Sequence, residues 1–244
     1  LDPDSLHREL ESSTEIRADE LVHRATGRRV AAILPVYTMG LPADMDAISA
    51  IASDFELPIV ADAAAALGAR YRGRDLGGLA TLSVASFNGN KTFTCGGGGA
   101  VFGMDQVLLA QTRHLSTTAR RGADYDHDQI GFNYRLTNLQ AAVGVAQLEQ
   151  AQAFLTRKAE IDAAYRAAAK AIPGVSPFPS PAWATSAFWT SGILLPERRD
   201  VCDVIDRFRQ QGVEARTFWK PIHLQEPYAQ IPRGALGGSD GLWR

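Results

Sequence analysis

Cysteine is scarce in this sequence: two among 244 residues, Cys95 and Cys202. They lie far apart, so they supply no disulfide framework, and no Cys/His cluster has the ligand spacing of a zinc site. Excess charge of one sign is also lacking. The net charge is -2, with acidic and basic residues interspersed. Without a basic stripe to neutralise a phosphate backbone, nucleic acid is not an expected partner. Long apolar runs are missing too: none approaches the ~18 residues of a membrane span, and no signal-peptide pattern opens the chain. The expectation is a cytoplasmic protein without a membrane partner. The chain starts at Leu1 rather than Met, and residues 238–244 stop without an obvious terminal element, which reads as a fragment of a longer chain.

Apolar residues make up 45% and charged residues 21%, an ordinary globular balance. Residues 30–36, Val-Ala-Ala-Ile-Leu-Pro-Val, fit a buried strand. Met45, Ile48, Ile51, Ala52 and Phe55 then fall at helical spacing, and Leu57–Val60 is a second apolar run ending at Asp62. Strand, helix, strand is the βαβ unit of a parallel sheet. Further strands are predicted at Leu82–Ser86 and Ala100–Phe102, with a helix over about 105–115.

Thr137 and Gln140 have capping-box spacing. They open an Ala-rich helical stretch reaching about Ala171, long enough to predict a bridge between domains or a break near its middle. Pro173 and Gly174 end it, and a Pro/Ser-rich linker follows. The composition shift there sets the expected boundary between a large domain, 1–172, and a small C-terminal α/β domain, 173–244. Beyond the linker, Phe188–Leu195 and Val213–Phe218 read as strands, flanking an amphipathic helix closed by Gly212.

Three places carry chemistry. Asp62 closes a strand, and ligands of open α/β sheets bind beyond the carboxyl ends of strands. A carboxylate there can pair with a cationic ring nitrogen, or it can simply cap Ala63–Leu67. Ser86-Phe87-Asn88-Gly89-Asn90-Lys91 follows the next strand: a hydroxyl able to bind phosphate, five residues before an amine. A free lysine, at roughly pKa 10.4, is a poor nucleophile until burial or a nearby cation lowers that value. The bland alternative is a turn lysine. Gly96–Gly99 allows close backbone approach or a hairpin turn. It is no P-loop, because Asn90 precedes Lys91-Thr92 and the glycines come after the lysine. His7, His23, His114 and His127 show no metal spacing. Trp219-Lys220-Pro221-Ile222-His223 is either a substrate wall or a packed loop.

In order along the chain, Ile-Leu-Pro-Val with Gly40, Pro42–Asp46, Asp62-Ala63-Ala64, Leu67-Gly68-Ala69, Tyr71–Arg74, Ser86-Phe87 with Lys91, Gly131–Arg135, Asn138–Ala142 and Gln147–Glu149 resemble one family. It is the DegT/DnrJ/StrS-type sugar-nucleotide aminotransferases, and the likeness covers nearly the whole chain. The resemblance implies fold type I: a large domain around a mostly parallel sheet and a smaller C-terminal α/β domain. It also implies pyridoxal phosphate, with Lys91 carrying the cofactor as a Schiff base and moving the proton between cofactor and sugar carbons. Asp62 would pair with the pyridine nitrogen and Ser86 would bind the phosphate. Asn133 would reach the phosphate of a neighbouring subunit, making the active unit a homodimer. His223 would face the substrate. The donor would be L-glutamate. The Ser-Phe-Asn-Gly-Asn-Lys form, with Phe218–Pro221, is similar to the branch acting on UDP-linked 4-keto-6-deoxy sugars.

Three positions depart from the family pattern. Ala61 stands where Glu is usual, Ala65 where Gln or Glu is usual, and Tyr37 where His is common. The family's Gly-Thr phosphate loop and ring-stacking aromatic would lie before this segment. A dehydratase relative has histidine in place of the lysine, against which Lys91 stands. A catalytically degenerate homologue acting as a ligand-binding or regulatory protein, and a plain nucleotide-sugar binder, are the competing readings.

Overall fold

The computed structural model describes residues 1–196 and 199–243. They form two compact units, neither continuous in sequence. The first comprises Leu1–Pro3, Val30–Asp162 and Pro179–Ser191, and the second comprises Asp4–Arg29, Ala163–Phe178 and Gly192–Arg244. The boundary expected after residue 172 falls inside the Ala163–Phe178 segment. In chain order the helices are α1 (Pro3–Ser13), α2 (Met45–Asp54), α3 (Gln106–Ser116), α4 (Asn138–Glu149), α5 (Ala151–Lys170), α6 (Arg199–Gln210) and α7 (Gly237–Trp243).

The first unit is built on a mixed sheet. Val60–Asp62 pairs in parallel with Leu82–Ser86, which pairs antiparallel with Gly99–Phe102. On the other side of Val60–Asp62, Ile33 and Val36 form parallel bridges to Ile59 and Asp62. The strand expected over residues 30–36 is reduced to these bridges. Pro35 has no N–H to give the ladder, although its carbonyl accepts from Asp62 N–H at 2.9 Å. Asp62 and Ser86 are therefore both last residues of parallel strands, at the end where such sheets place ligands. A Cβ on Gly99 would lie 2.4 Å from the Ala85 carbonyl oxygen, so only glycine fits beside that strand end.

Helix α2 buries Met45, Ile48, Ile51 and Ala52, the stripe its spacing predicts. Asp44 stands at its N-terminus without capping it. Its carboxylate instead accepts the Tyr71 hydroxyl at 2.6 Å, while that hydroxyl accepts Asp46 N–H at 3.1 Å. The fully buried Tyr71 thereby ties the Arg70–Asp75 hairpin to the start of the helix.

Tyr37, 1% exposed, has a buried hydroxyl with no hydrogen-bond partner among the described residues, and burial pushes its pKa up to about 12. A buried polar group without a partner costs about 1–3 kcal/mol. Tyr37→Phe is therefore expected to leave the fold intact and raise stability by about 1 kcal/mol, read as a higher denaturant midpoint at unchanged slope. A lower midpoint would mean that the hydroxyl has a partner in solution.

Thr137 and Gln140 form the capping box that opens α4. The helical stretch breaks at Gln150, where the backbone leaves helical geometry, and resumes as α5. The second unit contains α1, the hairpin of Thr14–Arg17 with Glu20–His23, α6, and a two-residue ladder of Ser176–Pro177 with Ile193–Leu194. Gly212, at φ +73°, closes α6 as expected. Two expected strands are corrected. Of Phe188–Leu195 only Ile193–Leu194 pairs, because Phe188 at φ +50° lies outside strand geometry. Val213–Phe218 pairs with no strand among the described residues. Its first N–H is spent on the Phe208 carbonyl at the end of α6.

Candidate active site

Ser86 ends its strand and the chain turns into a loop closed on itself. Phe87 N–H donates to Gly98 O at 2.9 Å, and Cys95 N–H and the Thr94 hydroxyl both donate to Phe87 O, at 3.1 and 3.0 Å. Within the loop, Lys91 N–H donates to Asn88 O at 3.0 Å. Phe93, buried, stacks on Phe154 of α5 at 6.5 Å. The loop is thus anchored on both sides of Lys91, and little backbone freedom remains where the amine must be placed.

Asp62, Ser86 and Lys91 converge. A small pocket is lined by Ala64, Ala65, Ser86, Lys91 and Thr92, among others. Burial holds the Lys91 ammonium below the usual lysine range, and the nearby negative charge of Asp62 partly opposes that shift. Asp62 accepts Ala64 N–H at 2.9 Å through Oδ1, so the helix-capping alternative is corrected: residues 63–67 form a turn rather than a helix, and one carboxylate oxygen organises that turn. Ser86 Oγ accepts Asn88 N–H at 3.2 Å, which leaves its own proton available to donate.

Asn133 is exposed, on a segment pinned to the end of α3. Phe132 N–H donates to Leu115 O at 2.7 Å, Tyr134 N–H to Ser116 O at 2.9 Å, and Thr118 N–H to Phe132 O at 2.9 Å. His114 and Arg121 both bond Asp128, at 2.6 and 2.8 Å, bracing the hairpin that leads into this segment. His114 is thus structural. His223 belongs to the second unit, where its Nε2 lies 2.8 Å from Asp240 Oδ1.

Two residues at the site had no signal in the sequence. Trp189 places its ring 4.0 Å from Lys91 Nζ and donates its Nε1–H to Asn90 O at 2.7 Å. Lys158 of α5 donates to the Trp189 carbonyl at 3.0 Å. Roughly a hundred residues separate Trp189 from the Asn90 it bonds, and no local pattern marks such a contact.

The model of the DegT/DnrJ/EryC1/StrS aminotransferase family matches residues 10–237. The chain belongs to this family. EpsN of Bacillus subtilis (strain 168) is 33% identical over 226 residues, covering 92% of this chain and 56% of EpsN. GDP-perosamine synthase of Escherichia coli O157:H7 is 33% identical over 217 residues, covering 88% of this chain and 59% of the synthase. Among solved structures, DesV of S. venezuelae in complex with a ketimine intermediate superposes with a TM-score of 0.84 at 31% identity, over 99% of this chain and 61% of DesV. The chain therefore spans less than two thirds of the length of these relatives. The fold is that of the pyridoxal-phosphate-dependent sugar aminotransferases, mixed α/β and consistent with fold type I.

Membership of this family indicates pyridoxal phosphate as the cofactor. The donor set fits that group: an amine held below its usual pKa, a carboxylate at a strand end, and a hydroxyl free to donate, gathered in one unit with the amine and hydroxyl lining one pocket. The departures at Ala61 and Ala65 have a structural setting. Ala61 is fully buried in the sheet opposite Ser83. Ala65 presents its carbonyl where a Cβ on Gly40 would fall 2.8 Å away, and the residue lines the pocket. Among the described residues no group of His, Cys, Asp or Glu could hold a metal ion, and no helix is long and apolar enough to cross a membrane.

Proposed function

We propose that the protein transfers an amino group, from L-glutamate, to a nucleotide-linked keto-deoxy sugar. In the finer reading the acceptor is a UDP-4-keto-6-deoxy sugar used for cell-surface polysaccharide or secondary-metabolite synthesis in the cytoplasm. The observation that carries the reading is the shared pocket of Lys91 and Ser86 with the charge of Asp62 acting on the amine. Bound pyridoxal phosphate supplies an electron sink for negative charge at the substrate carbon. Lys91 Nζ holds the cofactor and takes and returns the proton at the reacting carbon, and its lowered pKa favours both tasks. Asp62 would keep the ring nitrogen protonated. Ser86 would donate a hydrogen bond to the phosphate, and His223 would contribute to the substrate side.

We also propose that the working unit is a homodimer in which Asn133 completes the neighbouring site. Support comes from the surface that displays it. Ile130 is 89% exposed and Leu139 83%, with Phe132, Tyr134 and Val143 exposed beside them in sequence. Helix α4 buries none of its residues although apolar ones occur along it, and a surface of that kind marks an interaction site.

Borohydride reduction of the cofactor-loaded full-length protein, followed by peptide mass analysis, is expected to leave a phosphopyridoxyl group on the Lys91 peptide. Incubation with glutamate and UDP-, GDP- or dTDP-linked 4-keto-6-deoxy sugars then tests the acceptor, with the UDP sugar expected to be aminated fastest. An unmodified Lys91 peptide in the folded protein would favour the degenerate homologue. A faster GDP or dTDP sugar would overturn only the choice of nucleotide.

A further inference from the structure

Beyond Lys91, Asp62 and Ser86, the segment 186–190 crosses the Lys91 loop as a strap. It is fastened at several points within the first unit. Ala187 N–H donates to Gly40 O at 3.0 Å, and Phe188 N–H donates to Ser186 Oγ at 2.9 Å. Phe188 takes φ +50°, a left-handed conformation that side chains other than glycine's rarely adopt. That turn presents Trp189 with its ring over the amine. Trp189 is then held through both its ring and its backbone. Its Nε1–H is held by the carbonyl of Asn90, the residue next to Lys91, and the Trp189 carbonyl is held by the half-buried Lys158.

Lys91 makes no ion pair among the described residues, although Asp62 is close enough for its charge to act on it. Its ammonium lies 4.0 Å from the Trp189 ring centroid, well inside the range of a cation–π contact. The negative face of an indole attracts a cation but cannot take its proton. An ammonium held this way keeps its proton and a defined position without being neutralised by a carboxylate.

We propose that Trp189 is a positioning residue for the proposed reaction. Its ring face holds the Lys91 ammonium in place whenever that nitrogen is not bonded to cofactor, and Lys158 fixes the strap that presents the ring. This rests on the reading of Lys91 given above, and it adds a residue and a reason for the strap. The ring stabilises the charged amine, so electron density on the ring should govern how readily Lys91 loses its proton.

The test replaces Trp189 in the full-length protein with tryptophan carrying zero to three ring fluorines. These keep the shape and the Nε1–H while draining the ring face. The readout is the acetic anhydride acylation rate of Lys91 at fixed pH in cofactor-free protein, measured by mass spectrometry against the exposed Lys220. The rate should rise steadily with fluorine number, by roughly two- to fivefold across the series. Trp189→Leu should acylate faster than Trp189→Phe, which keeps a ring face, so the idea remains testable if fluorinated protein folds poorly. A rate independent of fluorine number, or equal rates in the Phe and Leu variants, overturns the proposal. Borohydride trapping on the same samples judges the Lys91 reading separately. A fluorine trend without trapping would retain the contact and discard the reaction, and trapping without a trend would do the reverse.

Discussion

Lys91→Ala is expected to abolish borohydride-trappable cofactor on the polypeptide and to lower amino transfer by roughly 10²–10⁴-fold, the usual contribution of a positioned acid–base group. The fold should survive. The turn around Lys91 is closed by backbone bonds and by Phe93 packed on Phe154, none of which uses the lysine side chain. The effect should therefore appear in the rate, with an unchanged denaturation midpoint. Added small primary amines should restore part of the activity, because they can supply the missing base and acid. Activity within a few-fold of the parent would mean that another group moves the proton, and the pocket would need a different reading.

Asp62→Asn removes a charge while keeping the local structure. The amide oxygen can still accept Ala64 N–H, now at 2.9 Å, so the turn after the strand should hold. What is lost is the negative charge. Two consequences follow in opposite parts of the site. With the proposed partner of the cofactor's ring nitrogen gone, a fall in amino transfer of roughly 10²–10³-fold is expected, the scale for removing one preorganised electrostatic group. Lys91 loses the charge that opposes its desolvation, so its pKa should fall further below the ordinary value. Faster acylation of Lys91 together with slower transfer would separate these effects from misfolding, which gives neither pattern selectively. An Asp62→Asn protein that transfers at the parent rate would reduce Asp62 to a turn acceptor.

Local grammar was readable and distant contact was not. The capping box at Thr137 and Gln140 is a three-residue relation, and the apolar stripe of α2 repeats within one helix, so both are visible in the chain. The ordering of Asp62 and Ser86 at strand ends follows from alternating apolar runs. Asp44 stands at the N-terminus of α2, but its carboxylate serves a tyrosine 27 residues away. Val213–Phe218 has a strand's composition and no strand beside it, since pairing depends on a neighbour that composition cannot supply. Trp189 lay inside a predicted strand. Its role depends on one left-handed residue, Phe188, and on a loop far back in the chain.

The second unit unites Asp4–Arg29 with residues from 163 onward. During synthesis its early part emerges long before its partners. The Thr14–His23 hairpin and α1 are local elements, and isolated elements of that size are marginal in water. The first unit, by contrast, has its mixed sheet within residues 33–102. Completing the second unit joins segments more than a hundred residues apart, a closure that topology makes slow. The pocket of the first unit does not wait for that step, because its lining falls within residues 64–93.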